Sequence, residues 1–509
     1  MLESRKLAAS GIALSQSSRK TSVLPWRLLC RLAPLLLFLL WDTALAAPLD
    51  LLWHDPFDTQ GFTPEGLGKT WQGAPQHLPQ AQLPRQRAIH KPQSLAALTA
   101  YALAHNPQTR VAWENLRASA TGVGVADAAF LPSLSLSANA VRSQSNTTAG
   151  FSIPVLNSSS ESLSLTWVLF EFGLRAAQHD NALAQLYLSG FENNQALNQV
   201  ALTVTQNYYQ VIGEEALVHS YRQTVREDRA NLDAAQLKQK SGMATIADVL
   251  QAKSALAQAV AQLLSAQATL RSDQSALAES CGLPPNNSIP LVPLDTQRLP
   301  PSITPSMLSL VQRAVHSNPL VQEAAARILA ARASVREDEA QGLPSLGLSV
   351  SGGKRFQNGL QPSENWAIGF TLKVPLFTGF QQNYAIQEAQ HQERSAQASL
   401  SEEAQSIALT VAQDYQTVMG ARAAARASQI AVESAKASLA AIRAQYQVGL
   451  ATMLDLLSAQ ATLTTAEQTR IQNITTAYTQ LANLANALGM IGLPEKGVEL
   501  SALGAESKG

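Results

Sequence analysis

Past residue 47 the chain has no apolar run long enough to cross a bilayer as a helix, which takes about 20 residues. If the mature protein enters a membrane, strands must carry it there. Cysteine is nearly absent: there are two, Cys30 and Cys281, and only Cys281 lies beyond the leader, so no intramolecular disulfide can form. Cys281 reads as a small buried residue at a helix end rather than a nucleophile. The eight histidines are scattered without metal-ligand spacing, and the six methionines form no copper ladder. There is no glycine-rich phosphate loop and no Gly-x-Ser-x-Gly elbow. No cofactor is called for, and no enzyme class finds its residues. Excess charge is missing too: beyond Ala46 the chain carries 31 Lys and Arg against 35 Asp and Glu, which gives nucleic acid nothing to bind.

Proline is absent from Val155 to Gly282 and again from Leu376 to Leu493. What fills these stretches is helix pattern. Ala404, Val411, Val418, Ala425, Val432, Leu439 and Tyr446 recur every seven residues, with Ile407, Ala421, Ala435 and Ile442 between them and Asp414 and Ser428 as interruptions. The run from Phe380 to Gln447 would extend about 100 Å as one helix, and a second helix starts near Thr452. The earlier stretch has its own series: Leu197, Val204, Val211, Val218, Val225 and Leu232, then Val249, Leu256, Leu263, Leu270 and Leu277. Lys240–Leu256 lies over Gln447–Leu463, with Gly242 on Gly449 and Asp248 on Asp455, an offset of 207 that also holds for Gly282 and Gly489. Upstream, Asn106-Pro107 matches Asn318-Pro319 and the Leu-Pro-Ser-Leu at 131–134 matches that at 343–346, at an offset of 212. The chain is a tandem duplication.

In order, residues 1–46 combine basic residues from Arg5 to Arg31, an apolar core at Leu32–Trp41 and an Ala-x-Ala at 44–46, which predicts a cleaved signal peptide. A membrane anchor is the competing reading, weakened by Pro34 and Arg31. Residues 47–93, rich in proline and glutamine, form an extended arm that either docks on the body through its aromatics or stays a loose linker. The first repeat covers 94–283, a proline-rich linker 284–304, the second repeat 305–493 and a tail 494–509. Each repeat opens with a helix, Ser94–Phe130 and Ser306–Gly342, bent at its Asn-Pro. A hairpin follows. In the first, Leu134, Leu136, Ala138 and Ala140 return as Leu163, Leu165, Trp167 and Leu169 across a turn at Ser143–Ser160. In the second, Leu346, Leu348 and Val350 return as Ile368, Phe370, Leu372 and Val374 across a loop at Gly352–Ser363. Strict alternation over about ten residues suits a membrane barrel strand, and equally a half-buried soluble hairpin.

Four strands cannot close a membrane barrel, since such barrels use about eight or more, and open edges are not tolerated in lipid. In a membrane, several copies must therefore share one barrel. Taken in order, helix, Leu-Pro-Ser-Leu strand entry, hairpin, Leu-Phe exit, long helix, Gly-x-Ala-Thr-x-x-Asp turn and closing helix, twice over from Ser94 to Gly492, resemble the TolC-like outer-membrane efflux proteins. The resemblance implies a mixed α+β membrane protein. It would be a homotrimer whose twelve-stranded β-barrel takes four strands per chain and sits in outer-membrane lipid, continued by a long α-helical barrel in the periplasm. It also implies a passive exit duct for efflux or type I secretion, docked on a periplasmic adaptor and powered by an inner-membrane transporter. Many drug-efflux members carry a lipidated cysteine after the signal. Here Leu29 before Cys30 spoils that motif, which tilts toward the non-lipidated, TolC-like or toxin-secreting branch without identifying cargo. The competing reading is a trimeric coiled-coil stalk without a pore, which has no use for alternating hairpins.

The resemblance also implies a gate where the helix pairs meet at their turns. Gly242 and Gly449 would face the adaptor. Asp455 would form the narrowing ring, with Ser458 where the family has a second aspartate. Asp248 and Tyr446 would form a latch, and Ala451 replaces an arginine that supports it. The plainer reading is that Asp248 and Asp455 are first-turn carboxylates favoured by the helix dipole.

Overall fold

A computed structural model describes residues 91–144, 155–293 and 299–490. The signal sequence, the arm up to residue 90, the 145–154 part of the first hairpin turn, residues 294–298 of the linker and everything from residue 491, the tail included, lie outside the described residues.

Each repeat begins with two helices, α1 (Leu95–His105) and α2 (Pro107–Ala128) in the first, α5 (Met307–Ser317) and α6 (Pro319–Gln341) in the second. The expected bend is a full break. Asn106 and Asn318 adopt extended backbone, each ending one helix and capping the next, with Pro at the first position of the new helix. Each asparagine is buried and does a second task. Asn106 Nδ2 donates to Ser280 O at 2.8 Å and Asn318 Nδ2 to Ala487 O at 2.9 Å, binding the break to the end of its own repeat's closing helix. Gly282 follows that helix end at φ +72°, where a Cβ would meet His105 O at 2.8 Å. A side chain there would both strain the backbone and push the two segments apart.

Between these helices and the long ones lies a single antiparallel sheet in the order β1-β2-β3-β4, formed by β1 (Ser133–Ser143), β2 (Leu156–Phe170), β3 (Ser345–Gln357) and β4 (Ser363–Lys373). The two hairpins join through β2 and β3, so β1 and β4 are left as open edges within the chain. The register runs Leu134, Leu165, Val350, Ile368 across the sheet, and Leu163 lies opposite Leu136 as Phe370 lies opposite Leu348. With a side-chain period of two, this places the apolar set on one face and Ser and Gly residues on the other. On that polar face Ser135 and Ser164 approach to 2.8 Å and Ser137 and Ser162 to 2.7 Å.

Three expectations need correction here. The first turn is shorter than Ser143–Ser160, because Leu156–Ser160 is strand paired to 139–143. The second loop is shorter than Gly352–Ser363, because β3 runs on to Gln357. In both, serine and glycine look like turn residues in sequence, but here the cross-strand ladder supplies their backbone bonds. Thirdly, Leu169 does not continue the apolar series. The register shifts between Val168 and Phe170, and after this bulge Phe170 faces Leu346 instead. Asn358 ties the two hairpin ends together, since its amide donates to Asn157 O at 3.0 Å and its Oδ1 accepts from Asn157 N at 2.9 Å.

The long helices are α3 (Leu174–Lys240) and α7 (Gln381–Gln447), 67 residues each, and α4 (Ile246–Ser280) and α8 (Met453–Ala487), 35 each. At about 1.5 Å per residue the first two span roughly 100 Å. Glycine-containing turns lead into them: Gly173 at φ +94° caps α3, and Phe380, a non-glycine residue at φ +65°, caps α7. The seven-residue series is the buried seam of α7, where Val411, Val418, Ala425, Val432 and Leu439 are all buried. In α4 the expected leucine series is fully buried only at its last member, Leu277. Ala252, Ala259 and Ala266 are buried, while Leu256, Leu263 and Leu270 are half-buried. Both sets repeat every seven residues, and alanine takes the inner place because it lets the helix backbones come closest.

Candidate functional site

Two features stand out as unfinished within one chain: the sheet and the helix tips. The sheet's apolar face is open, with Leu136 at 75%, Trp366 at 79% and Phe370 at 68% exposure. None of the helices among the described residues is long and apolar enough to cross a membrane.

The tips are the α3–α4 turn at 241–245 and the α7–α8 turn at 448–452. Both close the same way. Lys238 O accepts from Met243 N at 2.8 Å and Gln445 O accepts from Leu450 N at 2.9 Å, while Gly242 and Gly449 sit at φ +72° and +82°. These are glycine-terminated helix ends, in which the left-handed residue turns the chain back onto the last free carbonyls. The next helix is capped by a reciprocal pair. Thr245 Oγ1 accepts from Asp248 N, and Asp248 Oδ2 accepts from Thr245 N and Oγ1, both at 2.8 Å. Thr452 and Asp455 repeat the arrangement at 2.9 and 2.7 Å. The Gly-x-Ala-Thr-x-x-Asp pattern is thus a turn with a capping box behind it. Around the turns, apolar side chains are left in the open, with Met243 at 74% and Leu450 at 80% exposure.

Of the candidate residues, Gly242 and Gly449 lie at the extreme ends of the hairpins, exposed. Asp455 and Ser458 are exposed on α8, one turn apart. Hydrogen bonds from the Thr452 hydroxyl and amide hold the Asp455 carboxyl below the usual carboxylate range, so it stays charged. Asp248 lies near enough to Tyr446 across the two hairpins for its charge to act on the phenol. Burial raises the Tyr446 phenol, and the charge of Asp248 raises it further. No hydrogen bond joins them, however. The Asp248 carboxylate makes its bonds inside its own turn.

Sequence reasoning missed the partner that Tyr446 does have. The Lys238 ammonium lies 3.8 Å from the Tyr446 ring centroid and 3.3 Å from its carbonyl oxygen. Nothing in the spacing of either repeat marks it. The charged run Arg226-Glu227-Asp228-Arg229 does not turn all its side chains to solvent. Asp228 is only 4% exposed and burial raises its carboxyl, while Glu227 sits 3.8 Å from Arg443. The helix turns that carboxylate into the seam with α8, where Thr224 meets Thr464 at 3.2 Å and Ser220 donates to Glu467 at 3.0 Å.

Similarity to known proteins agrees with this architecture. The chain is 26% identical to Protein CyaE of Bordetella pertussis over 397 residues, covering 77% of this chain and 83% of that protein. It is 26% identical to Outer membrane protein TolC of Salmonella enteritidis over 402 residues, covering 76% and 79%. It is 25% identical to Alkaline protease secretion protein AprF of Pseudomonas aeruginosa over 376 residues, covering 72% and 78%. Among solved structures, the CmeC outer membrane channel of Campylobacter jejuni matches with a TM-score of 0.69 at 16% identity, over 81% of this chain and 89% of that one. Residues 98–283 and 310–490 both match the family described as Outer membrane efflux protein, one match to each duplicated unit, and the chain belongs to that family.

Proposed function

We propose that this chain is one subunit of a homotrimeric, passive exit duct in the outer membrane, with its helical part in the periplasm. The observation that carries the reading is the pair of open edges on a sheet that is apolar on one face only. Such a sheet is not tolerated in lipid alone. Three copies joined β4 to β1 make a closed twelve-stranded barrel, apolar outside and lined by serine and glycine inside. The duct has no chemistry of its own, so an inner-membrane transporter drives cargo through it by way of a periplasmic adaptor. Exposed Met243 and Leu450 beside Gly242 and Gly449 offer that adaptor an apolar docking point. AprF, a secretion protein by name, is the relative that favours exported protein as cargo.

At the tip, Asp455 repeated about the trimer axis forms a negative ring that selects cations. Ser458, one turn on, adds no charge, so cation block is weaker than a double ring would give. Asp248 and Tyr446, the one charged near the other's phenol, mark where the two hairpins of each subunit latch in the closed state.

Four measurements check the assembly and its topology. The purified protein should run as a trimer in detergent, fractionate with the outer membrane and conduct in a planar bilayer. A soluble periplasmic monomer would overturn the proposal. The hairpin ends should face the cell exterior. An epitope tag placed after Leu360, 64% exposed and clear of the Asn358–Asn157 bonds, should be labelled on intact cells. Labelling only after lysis would invert the topology.

A further inference from the structure

The two helical hairpins of one subunit are joined along their length by polar cross-links. Gln206 donates to Asn483 at 2.8 Å, Ser220 to Glu467 at 3.0 Å, Thr224 meets Thr464 at 3.2 Å, and Arg443 stands 3.8 Å from Glu227. The link nearest the turns is Lys238 on Tyr446. We propose that Lys238 is the clasp that holds the second hairpin's tip against the first, by setting its ammonium on both the ring and the carbonyl of Tyr446. The inference rests on the reading of these turns as the closed end of the duct.

Three observations converge on it. Geometrically, one half-buried ammonium satisfies two features of one residue, at 3.8 Å from the ring centroid and 3.3 Å from the carbonyl oxygen. A cation over an aromatic face is attracted by the ring quadrupole, more so where water is partly excluded. Electrostatically, the Tyr446 carbonyl belongs to the last turn of α7, where the helix dipole is negative and where α7 has no basic residue of its own. The last turn of α3 carries two, Lys238 and Lys240. One helix therefore lends its neighbour the cation that the neighbour lacks. Thirdly, Asp248 spends its carboxylate on Thr245 rather than on the Tyr446 hydroxyl, which leaves the lysine as the side chain that bonds Tyr446 from the other hairpin. Ala451, on the second hairpin's turn, supplies no charge that could stand in for it.

The clasp needs the ring and the charge but not the phenolic hydroxyl, and this makes it testable. Single-channel conductance of the purified trimer would be recorded for Lys238→Met, Lys238→Arg, Tyr446→Phe and Tyr446→Leu, with thermal stability of each trimer measured alongside. Lys238→Met and Tyr446→Leu should raise conductance several-fold at unchanged trimer stability. Lys238→Arg, which keeps a cation and a donor, should stay near the parent, and Tyr446→Phe, which keeps ring and carbonyl, should leak less than Tyr446→Leu. A closed Lys238→Met channel, or an Arg variant as leaky as the Met variant, would overturn the clasp. The Asp248→Ala, Tyr446→Phe double variant separates the two levels of the argument. If it leaks while Lys238→Met does not, the gate stands and the clasp falls. If neither leaks, the gate at this tip falls with the clasp.

Discussion

Replacing Ile368 by arginine should abolish recovery of the protein from the outer membrane. Ile368 is the middle residue of β4, 61% exposed on the apolar face, in one row with Val350, Leu165 and Leu134. A cation at the mid-plane on the lipid side of a barrel costs about 2–4 kcal/mol. Symmetry repeats it in every subunit, so three copies cost roughly 6–12 kcal/mol, comparable with the whole stability of an ordinary fold. Thr371, on the polar face, provides the control. Thr371→Lys should assemble and insert normally and change only conductance. Western blots of membrane fractions, with and without cross-linking, read both outcomes. Normal insertion of Ile368→Arg would show that the apolar face does not meet lipid.

The Asp248→Ala, Tyr446→Phe double variant should leak, raising single-channel conductance and making cells sensitive to large antibiotics. The structure sharpens the control. Because Asp248 also closes a capping box, its loss costs helix stability of about 0.3–1.5 kcal/mol whatever its role in the gate. Thr245→Ala breaks the same box while leaving the carboxylate, so a leak caused by fraying would appear in that variant too. Asp455→Ala should reduce cation preference. Thr452 holds the Asp455 carboxyl below its usual value, so the charge is present above the ordinary carboxylate value of about 3.9 and fades only as pH falls through the lowered one. Its contribution to the cap follows the same course, present above the unfolded value and lost on acidification. Cation selectivity should therefore persist into moderately acid solution, and Thr452→Val should move its loss to higher pH. Unchanged conductance and selectivity in the double variant and in Asp455→Ala, with trimers intact, would remove the gate from this region.

The repeats, the long helices, the four alternating strands and the two turns were all legible in the sequence, because each rests on local pattern. A seven-residue apolar series, an Asn-Pro break or a Thr-x-x-Asp box carries its meaning within a few residues of itself. Open edges followed by counting, since four strands of that pattern cannot satisfy their own backbone. Pairing between distant segments was not legible. Serine-rich 156–160 reads as turn until a partner strand supplies its hydrogen bonds, and one bulge at 168–170 moves the apolar face from Leu169 to Phe170. In α4 two heptad series compete, and only tertiary packing chose the alanines. Asp228 belongs to a charged tetrad in sequence and to a buried seam in space. Lys238 and Tyr446 stand 208 positions apart, and no periodicity links them. Local chemistry determined which elements exist and where the long helices start and stop. The tertiary structure decided which face each one buries and which charges meet, because those depend on what the rest of the chain brings alongside.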